Sequence, residues 1–329
     1  MLAVLPWRLE ISGAIAVGEV AAPGCGAGEA LIRVAAAGLN RADLLQRRGL
    51  YPPPPGESTV PGLECSGVVE ALGPETEGFG RGDRVMALLA GGGQAELVAV
   101  PVGQLLPVPE NLSLENAAAL PEAALTSWTN LVVEGELRPG ETVLVTGATS
   151  GIGTFAVQLI RELGGRAIAA ARSPERLEML RDFGVQHLVA LDDDYPRRVR
   201  ELTGGRGVDL ILDLVAGEWL PPTLECLAER GRLVLVGLTA GRTATIDLGL
   251  VLRRRLRIVG SVLRARSVAE KTVLVRGFAE YGLPRLADGR LRPVVDRVFP
   301  LAEAAAAYDY LEHERPFGKV VLAMRAPGT

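Results

Sequence analysis

Histidine is nearly absent from this chain: His187 and His313 are the only two in 329 residues. Both lie in polar, ordinary stretches and read as surface or satisfied side chains. Their scarcity speaks against a Ser-His-Asp triad and against histidine-rich metal sites. Lysine is equally scarce. Lys271 and Lys319 are the only two, and the remaining basic charge is arginine. A coding bias toward G and C accounts for this at least as well as heat adaptation does. Three scattered cysteines, Cys25, Cys65 and Cys226, cannot build a zinc ribbon or a disulfide framework. A net charge of −4 gives no electrostatic case for nucleic acid. No apolar run approaches the roughly 20 residues of a membrane span. The N-terminus lacks the basic start and long apolar region of a signal peptide. The expectation is a cytoplasmic protein with neither nucleic acid nor membrane as a partner.

What is present suits two domains, or one domain with a large insertion. To about residue 120 the chain is rich in Gly and Pro, with short apolar runs at Leu31–Ala35, Gly67–Ala71 and Arg84–Leu88. That texture predicts an irregular antiparallel barrel. From about 121, strands and helices alternate, with strand candidates Thr142–Thr146, Arg166–Ala170, Val208–Leu212, Arg232–Val236 and Arg257–Val262 and a helix candidate at Glu175–Phe183. Alternation of this kind implies βαβ units and a doubly wound parallel sheet. After Arg264 the pattern loosens, and Phe317–Leu322 looks like a last strand. The predicted organisation is an α/β nucleotide domain over 121–264, inserted into a β-barrel domain formed by 1–120 and 265–329.

The most informative stretch is Thr142-Val-Leu-Val-Thr-Gly-Ala-Thr-Ser-Gly-Ile-Gly153. An apolar strand runs into a turn with Gly147, Gly151 and Gly153, and a helical pattern from Thr154 to Leu163 follows. The arrangement places a helix N-terminus at a strand tip, where free amides and the helix dipole suit a pyrophosphate. An NAD site would carry an acid about 20 residues on. Here the second strand ends in Arg172-Ser-Pro-Glu-Arg176. Two guanidinium groups without an acid at the strand tip favour the 2′-phosphate of NADPH. Glu175 dissents, but it can face solvent on the first helical turn.

With these features in view, the chain resembles the medium-chain dehydrogenase/reductase superfamily, and within it the zinc-free quinone oxidoreductases of the zeta-crystallin type. The likeness rests on Gly38-Leu-Asn-Arg-Ala-Asp43, Gly49-Leu-Tyr-Pro-Pro-Pro54, Pro61-Gly-Leu-Glu64, Ala90-Gly-Gly-Gly-Gln-Ala95, Ala118-Ala-Leu-Pro121, the glycine turn and Phe317-Gly-Lys-Val320. It implies a GroES-like barrel plus a Rossmann domain. It also implies that Asn40, Thr126, Ala148, Thr149, Ser150, Gly151, Ile152, Gly153, Arg172, Arg176, Val215, Gly237, Leu238, Leu263 and Lys319 line NADPH. Tyr51 and Asn40 are the candidate catalytic residues, as donors to an acceptor oxygen. Zinc members of the superfamily carry a Cys at the position of Asn40 and a His at that of Leu63. Neither is present, so no metal is expected. Without a Lewis acid, reduction of an activated quinone or enone is the expected chemistry rather than alcohol oxidation.

Rival readings are a short-chain dehydrogenase, an enoyl reductase acting on another activated alkene, and a non-catalytic NADPH-binding sensor or structural protein. The first needs a Tyr with a Lys four residues on, and neither lysine stands so. The strand Arg257–Val262 is expected at a sheet edge, which predicts pairing into a homodimer or a dimer of dimers.

Overall fold

The computed structural model describes residues 1–6 and 15–324. In chain order the strands are β1 (Leu2–Pro6), β2 (Ile15–Glu19), β3 (Glu29–Leu39), β4 (Glu64–Leu72), β5 (Arg84–Leu88), β6 (Leu97–Pro101), β7 (Leu105–Pro107), β8 (Thr142–Thr146), β9 (Arg166–Ala171), β10 (His187–Ala190), β11 (Val208–Asp213), β12 (Leu227–Leu235), β13 (Arg257–Gly260), β14 (Val295–Pro300) and β15 (Lys319–Ala323). The α-helices are α1 (Arg41–Arg47), α2 (Leu114–Ala117), α3 (Pro121–Trp128), α4 (Gly151–Glu162), α5 (Pro174–Glu178), α6 (Tyr195–Leu202), α7 (Leu220–Glu225), α8 (Leu248–Arg254), α9 (Val268–Ala287) and α10 (Ala304–His313). The chain divides into two compact units: Met1–Leu125 with Leu263–Thr329, and Thr126–Val262.

The second unit is built on six strands in the order β10-β9-β8-β11-β12-β13, all parallel. Parallel strands have helices on both faces, which explains why β8 is buried at every position. Leu144, Ile168, Val189, Tyr195, Ile211 and Leu233 share its core. The strand order reverses between β8 and β11, the switch point at which doubly wound sheets open a crevice beyond their strand tips. Two details refine the sequence expectation. Helix α4 starts at Gly151 rather than Thr154, so the end of the glycine turn is already helical. The helix expected over Glu175–Phe183 is α5 followed by a 3₁₀ turn, Met179–Phe183, closed by Gly184 at φ 81°.

The first unit centres on β3, which is 11 residues long and pairs antiparallel with β15, β4 and β6. Its sheet runs β14-β15-β3-β4-β5-β7. The pair β14 and β15 is parallel, a departure from an all-antiparallel barrel. One core cluster gathers Ile32, Val34, Val69, Val85 and Val100. Another gathers Leu39, Leu44, Phe299, Tyr308 and Leu322. The stretch where the sequence pattern loosens holds the 20-residue helix α9. Its buried positions, Lys271, Leu274, Val275, Phe278, Gly282 and Leu286, recur at helical spacing. A lysine and a glycine in that stripe, a proline at 284, and exposed Val268 and Val273 hide the period.

Candidate functional site

In the second unit, the glycine turn leaves the tip of β8 beside the tip of β11. The two tips are tied by Asp213, which ends β11. Its Oδ1 accepts from Thr146 Oγ1 at 2.7 Å and from the amides of Val215 and Ala216 at 3.0 Å. Thr146 Oγ1 accepts in turn from the Leu214 amide at 3.0 Å. The other Asp213 oxygen is buried with no hydrogen-bond partner. The sequence reading did not single out Asp213; its signal is one acid closing an otherwise apolar strand.

The turn fits a pyrophosphate on geometric grounds. A Cβ on Gly153 would lie 2.5 Å from the Gly147 carbonyl oxygen and 2.6 Å from the Ala148 backbone, so only glycine allows this approach. Ser150 caps α4, its Oγ accepting from the Gly153 amide at 3.1 Å. The amides of Gly151 and Ile152 open the helix and have no intrahelical acceptor. Ala148 is buried and Thr149 half-buried in the same turn. Gly237 donates its amide to the Asp213 carbonyl at 3.1 Å, which keeps Val215 and Gly237 at neighbouring strand tips, and Leu238 is exposed beyond them. Thr126 is buried, its carbonyl accepting from Asn130 Nδ2 at 2.7 Å. Ser127 Oγ donates to the Ile152 carbonyl at 3.4 Å, linking α3 to the start of α4.

At the tip of β9, Arg172 is exposed and makes no hydrogen bond or ion pair among the described residues. Arg176 is half-buried, and its amide donates to Ser173 Oγ at 3.3 Å. Ser173 Oγ also donates to Glu175 Oε2 at 2.8 Å. Glu175 is exposed; hydrogen bonds from its own backbone amide and from Ser173 hold its carboxyl below the usual range. A negative charge therefore stands beside the two arginines.

The first unit carries Asn40, Tyr51, Leu263 and Lys319, and it joins three polar side chains that the sequence reading had treated singly. Lys319, on β15, is 4% exposed. Its ammonium donates to Leu39 O at 2.7 Å and to Asn40 Oδ1 at 2.6 Å, and pairs with Glu64 Oε1 at 2.5 Å. Asn40 Nδ2 donates to the same Glu64 oxygen at 2.9 Å, and Glu64 Oε2 accepts from the Glu122 amide at 2.8 Å. All three ammonium protons are taken, so Lys319 acts here by holding Asn40. One N–H of the Asn40 amide remains for a ligand. Glu64 belongs to a motif quoted above, yet its role shows only in three dimensions. Beside this cluster lies Asp43, fully buried, which accepts from the Asn40 amide at 2.8 Å and the Gly62 amide at 3.2 Å. Burial raises its carboxyl to about 6, against those hydrogen bonds and the charges of Lys319 and Arg264.

Tyr51 is half-buried and its hydroxyl makes no hydrogen bond among the described residues. Arg264 stacks on its ring at 5.0 Å from the centroid. The same guanidinium donates to Ala90 O at 2.7 Å, Tyr51 O at 3.1 Å and Gln46 Oε1 at 2.7 Å. It fastens the proline loop to the sheet. Burial, then the Glu122 charge, raises the Tyr51 phenol above its ordinary value, with Arg264 opposing. Leu263, next to Arg264, is buried.

Other chemistries find little support. Burial pushes the thiols of Cys65 and Cys226 up to about 12, so neither is a nucleophile near neutrality. Among the described residues no three His, Cys, Asp or Glu side chains cluster as metal ligands. The oxygens of Asn40 and Glu64 already surround an ammonium, and Leu63 is buried beside them in sequence. Neither Asn40 nor Leu63 offers the thiolate or imidazole that the superfamily's zinc members carry there. No helix among the described residues is long and apolar enough to cross a membrane.

Comparison with known proteins agrees with both units. Residues 26–110 match the family model of the alcohol dehydrogenase GroES-like domain, and residues 151–276 that of the zinc-binding dehydrogenases. A quinone oxidoreductase of Pseudomonas aeruginosa is 34% identical over 89% of this chain and 90% of its own length. A phenolphthiocerol/phthiocerol polyketide synthase of Mycobacterium tuberculosis is 33% identical over 91% of this chain, which spans 14% of that much longer protein. Among solved structures, the quinone oxidoreductase of Thermus thermophilus, solved also in complex with NADPH, superposes with a TM-score of 0.84 at 38% identity, covering 98% of this chain and 100% of the other. The CurK enoyl reductase superposes with a TM-score of 0.86 at 28% identity, covering 98% and 99%.

The raised carboxyl of Asp43 has a consequence for stability. A carboxyl that binds its proton more tightly when folded stabilises the fold below the unfolded value, and that contribution fades as pH rises to the folded one. Stability is therefore expected to fall between about pH 4 and pH 6 by something on the order of 3 kcal/mol from this group. Denaturant titrations across that window should show the slope, and Asp43→Asn should flatten it. An equal slope in the variant assigns the effect elsewhere.

Proposed function

This chain belongs to the medium-chain dehydrogenase/reductase superfamily, and from that premise we propose that it is an NADPH-dependent, zinc-independent oxidoreductase that passes hydride to a quinone or an α,β-unsaturated carbonyl. The observation that carries the reading is the ammonium of Lys319 held by Asn40 and Glu64. It fixes Asn40, which stands where the superfamily's zinc members carry a Cys ligand, against a lysine's positive charge. Hydride transfer to an already electrophilic acceptor needs no metal to lower an alcohol's pKa.

Bound NADPH would supply the hydride; the chain supplies position and charge. The amides opening α4, with Ala148, Thr149, Ser150, Gly151, Ile152 and Gly153, would take the pyrophosphate. Arg172 and Arg176 would take the 2′-phosphate, while Thr126, Val215, Gly237, Leu238, Leu263 and the free N–H of Asn40, held by Lys319, would contact the rest. Tyr51, whose hydroxyl has no partner among the described residues, would donate to the acceptor oxygen as negative charge builds there. The likeness to an enoyl reductase favours a second acceptor class, an activated alkene, handled by the same residues. The edge strand β13 and the exposed Leu248 and Leu252 of α8 support association through the second unit, as a homodimer or a dimer of dimers.

Fluorescence titration should show NADPH binding at least about tenfold more tightly than NADH, the scale of one charge-assisted contact. Arg172→Ala should erode that preference; equal affinities in the native protein would sink the NADPH reading, Glu175 then having prevailed.

An NADPH oxidation screen across quinones, enones and alcohols tests the reaction itself. No turnover with any acceptor, alongside tight NADPH binding, would favour a sensor or structural role. Tyr51→Phe should lower turnover by roughly tenfold with NADPH affinity nearly constant, as a lost transition-state hydrogen bond requires. Full rate in Phe with loss in Ala would make the ring a packing wall.

Light scattering at low protein concentration should report twice 34.7 kDa or a multiple. A stable monomer refutes the pairing.

A further inference from the structure

Asp43 is the third residue of α1 and is fully buried, yet none of the roles above involves it. A buried carboxylate is costly unless its oxygens are used, and both are. Oδ2 accepts from the Asn40 amide at 2.8 Å and Oδ1 from the Gly62 amide at 3.2 Å. The two donors differ in what stands behind them. Gly62, at φ 109°, packs so closely that a Cβ there would lie 2.4 Å from the Gln94 nitrogen. The amides of Gly93 and Gln94 donate to the carbonyls of Gly62 and Pro61 at 3.1 and 3.0 Å. Gly62 is therefore a fixed point. Asn40 caps α1 and carries the amide with one N–H still unused among the described residues. Lys319 and Glu64 hold its side chain, and Asp43 ties its backbone to the rigid loop. The ionisable groups that face Asp43 are Lys319 from β15 and Arg264 from just before α9, both of which favour its ionised form, and the Tyr308 phenol from α10. That phenol is raised by burial and donates to Gln94 Oε1 at 2.7 Å. Glu64, from β4, is paired with Lys319.

We propose that Asp43 is a positioning residue for the nicotinamide cofactor: its carboxylate holds Asn40 in register, so cofactor binding depends on the ionised form. This rests on the reading of Asn40 as a cofactor contact in a nicotinamide-dependent reductase. The ionised carboxyl accepts from two amides at once. When it is protonated, one oxygen becomes an O–H donor set against an N–H, and one of the two ties is lost. Asn40 then keeps its side-chain partners but loses the fixed backbone from which they aim its free N–H. The change falls within an ordinary pH range, because burial raises the carboxyl to about 6 against its hydrogen bonds and the charges of Lys319 and Arg264. Linkage fixes the sign. If the ionised form binds cofactor more tightly, affinity falls as pH drops through that value, and binding there drives protons off the protein. Charge alone would act the opposite way, since a carboxylate repels an anionic dinucleotide and its protonation would strengthen binding. The direction of the pH effect therefore separates positioning from simple repulsion.

NADH is the probe, because the 2′-phosphate of NADPH itself titrates at about pH 6. Calorimetric titration of the native protein with fresh NADH should show binding at least about fivefold weaker at pH 5 than at pH 8, with a midpoint near 6. At pH 6, buffers of differing ionisation enthalpy should reveal protons released on binding; at pH 8 none should be. Asp43→Asn keeps one acceptor and sets an amide N–H₂ against the other donor. It should bind NADH weakly at every pH, with neither bend nor proton release. Asn40→Ala should also lose the bend, since Asp43 acts through Asn40. The bend should survive in His187→Gln and His313→Gln, which remove the only two histidines. Affinity that is flat from pH 5 to pH 8, or that rises on acidification, overturns the proposal. So does a bend that persists in Asp43→Asn or disappears with either histidine. NADH that binds without the bend leaves the reductase reading standing, whereas failure of both NADH and NADPH to bind at pH 8 overturns the two together. The pH dependence and the proton release are read on the native protein. They therefore decide Asp43 even if the variants fail to fold.

Discussion

The ion pair of Lys319 with Glu64 is the constraint around which the first unit is arranged. One ammonium ties the return strand β15 to the end of β3 and to the residue that caps α1, while the carboxylate brings in β4 and the first turn of α3. Such a pair adds little net stability, since removing two charges from water costs about what their attraction returns. Its effect is on geometry. With either partner missing, a buried charge would stand alone, so competing arrangements of these five segments are strongly disfavoured. Asn40 is held by both of its polar atoms as a result, and its one remaining N–H has a fixed direction. Asp43 lies in the same buried region, its carboxyl raised by the burial that makes the neighbouring pair so demanding.

The second unit solves a different problem. Six parallel strands are covered on both faces, so polar groups can gather only at the strand tips. Asp213 organises that rim by accepting from the β8 tip and from the turn after β11 with one oxygen. The glycine turn depends on this arrangement, because Gly147 packs against Leu214 and Val215 and Gly153 against the turn itself. The free amides at the head of α4 are therefore presented by packing rather than by a flexible loop, which lowers the entropic cost of holding an anion.

Much of this was legible in the sequence because it is local. Buried parallel strands appear as apolar runs, and a strand, a glycine turn and a helix announce themselves within 20 or so residues. The non-local parts were not. Glu64, Asn40 and Lys319 are far apart in the chain, and their meeting depends on the pairing of β15 with β3. The parallel pairing of β14 with β15 and the short strand β10 carry no periodic signal of their own. Helix α9 was missed because its inward stripe contains the very residues, Lys271 and Gly282, that a hydrophobic pattern cannot include. Such local conflicts with the general pattern tend to mark places where another requirement has prevailed over packing.

The two lysines illustrate such a requirement. Every other basic side chain in this protein, the two histidines aside, is arginine, so composition alone would put arginine at both sites as well. At position 319 the three acceptors converge on a single nitrogen. A tetrahedral ammonium can meet them; a planar guanidinium spreads its donors over three nitrogens and needs more room than a fully enclosed site provides. Position 271 also encloses its side chain, but offers it no acceptor among the described residues. Packing would be served there by methionine or leucine, and charge by arginine. Lysine alone combines a slim stem with a charge, whose proton burial and the neighbouring Arg264 loosen against the pull of Glu57 and Glu122. The same composition thus isolates two positions whose surroundings differ: one gives its ammonium three acceptors, the other encloses the side chain and gives it none among the described residues.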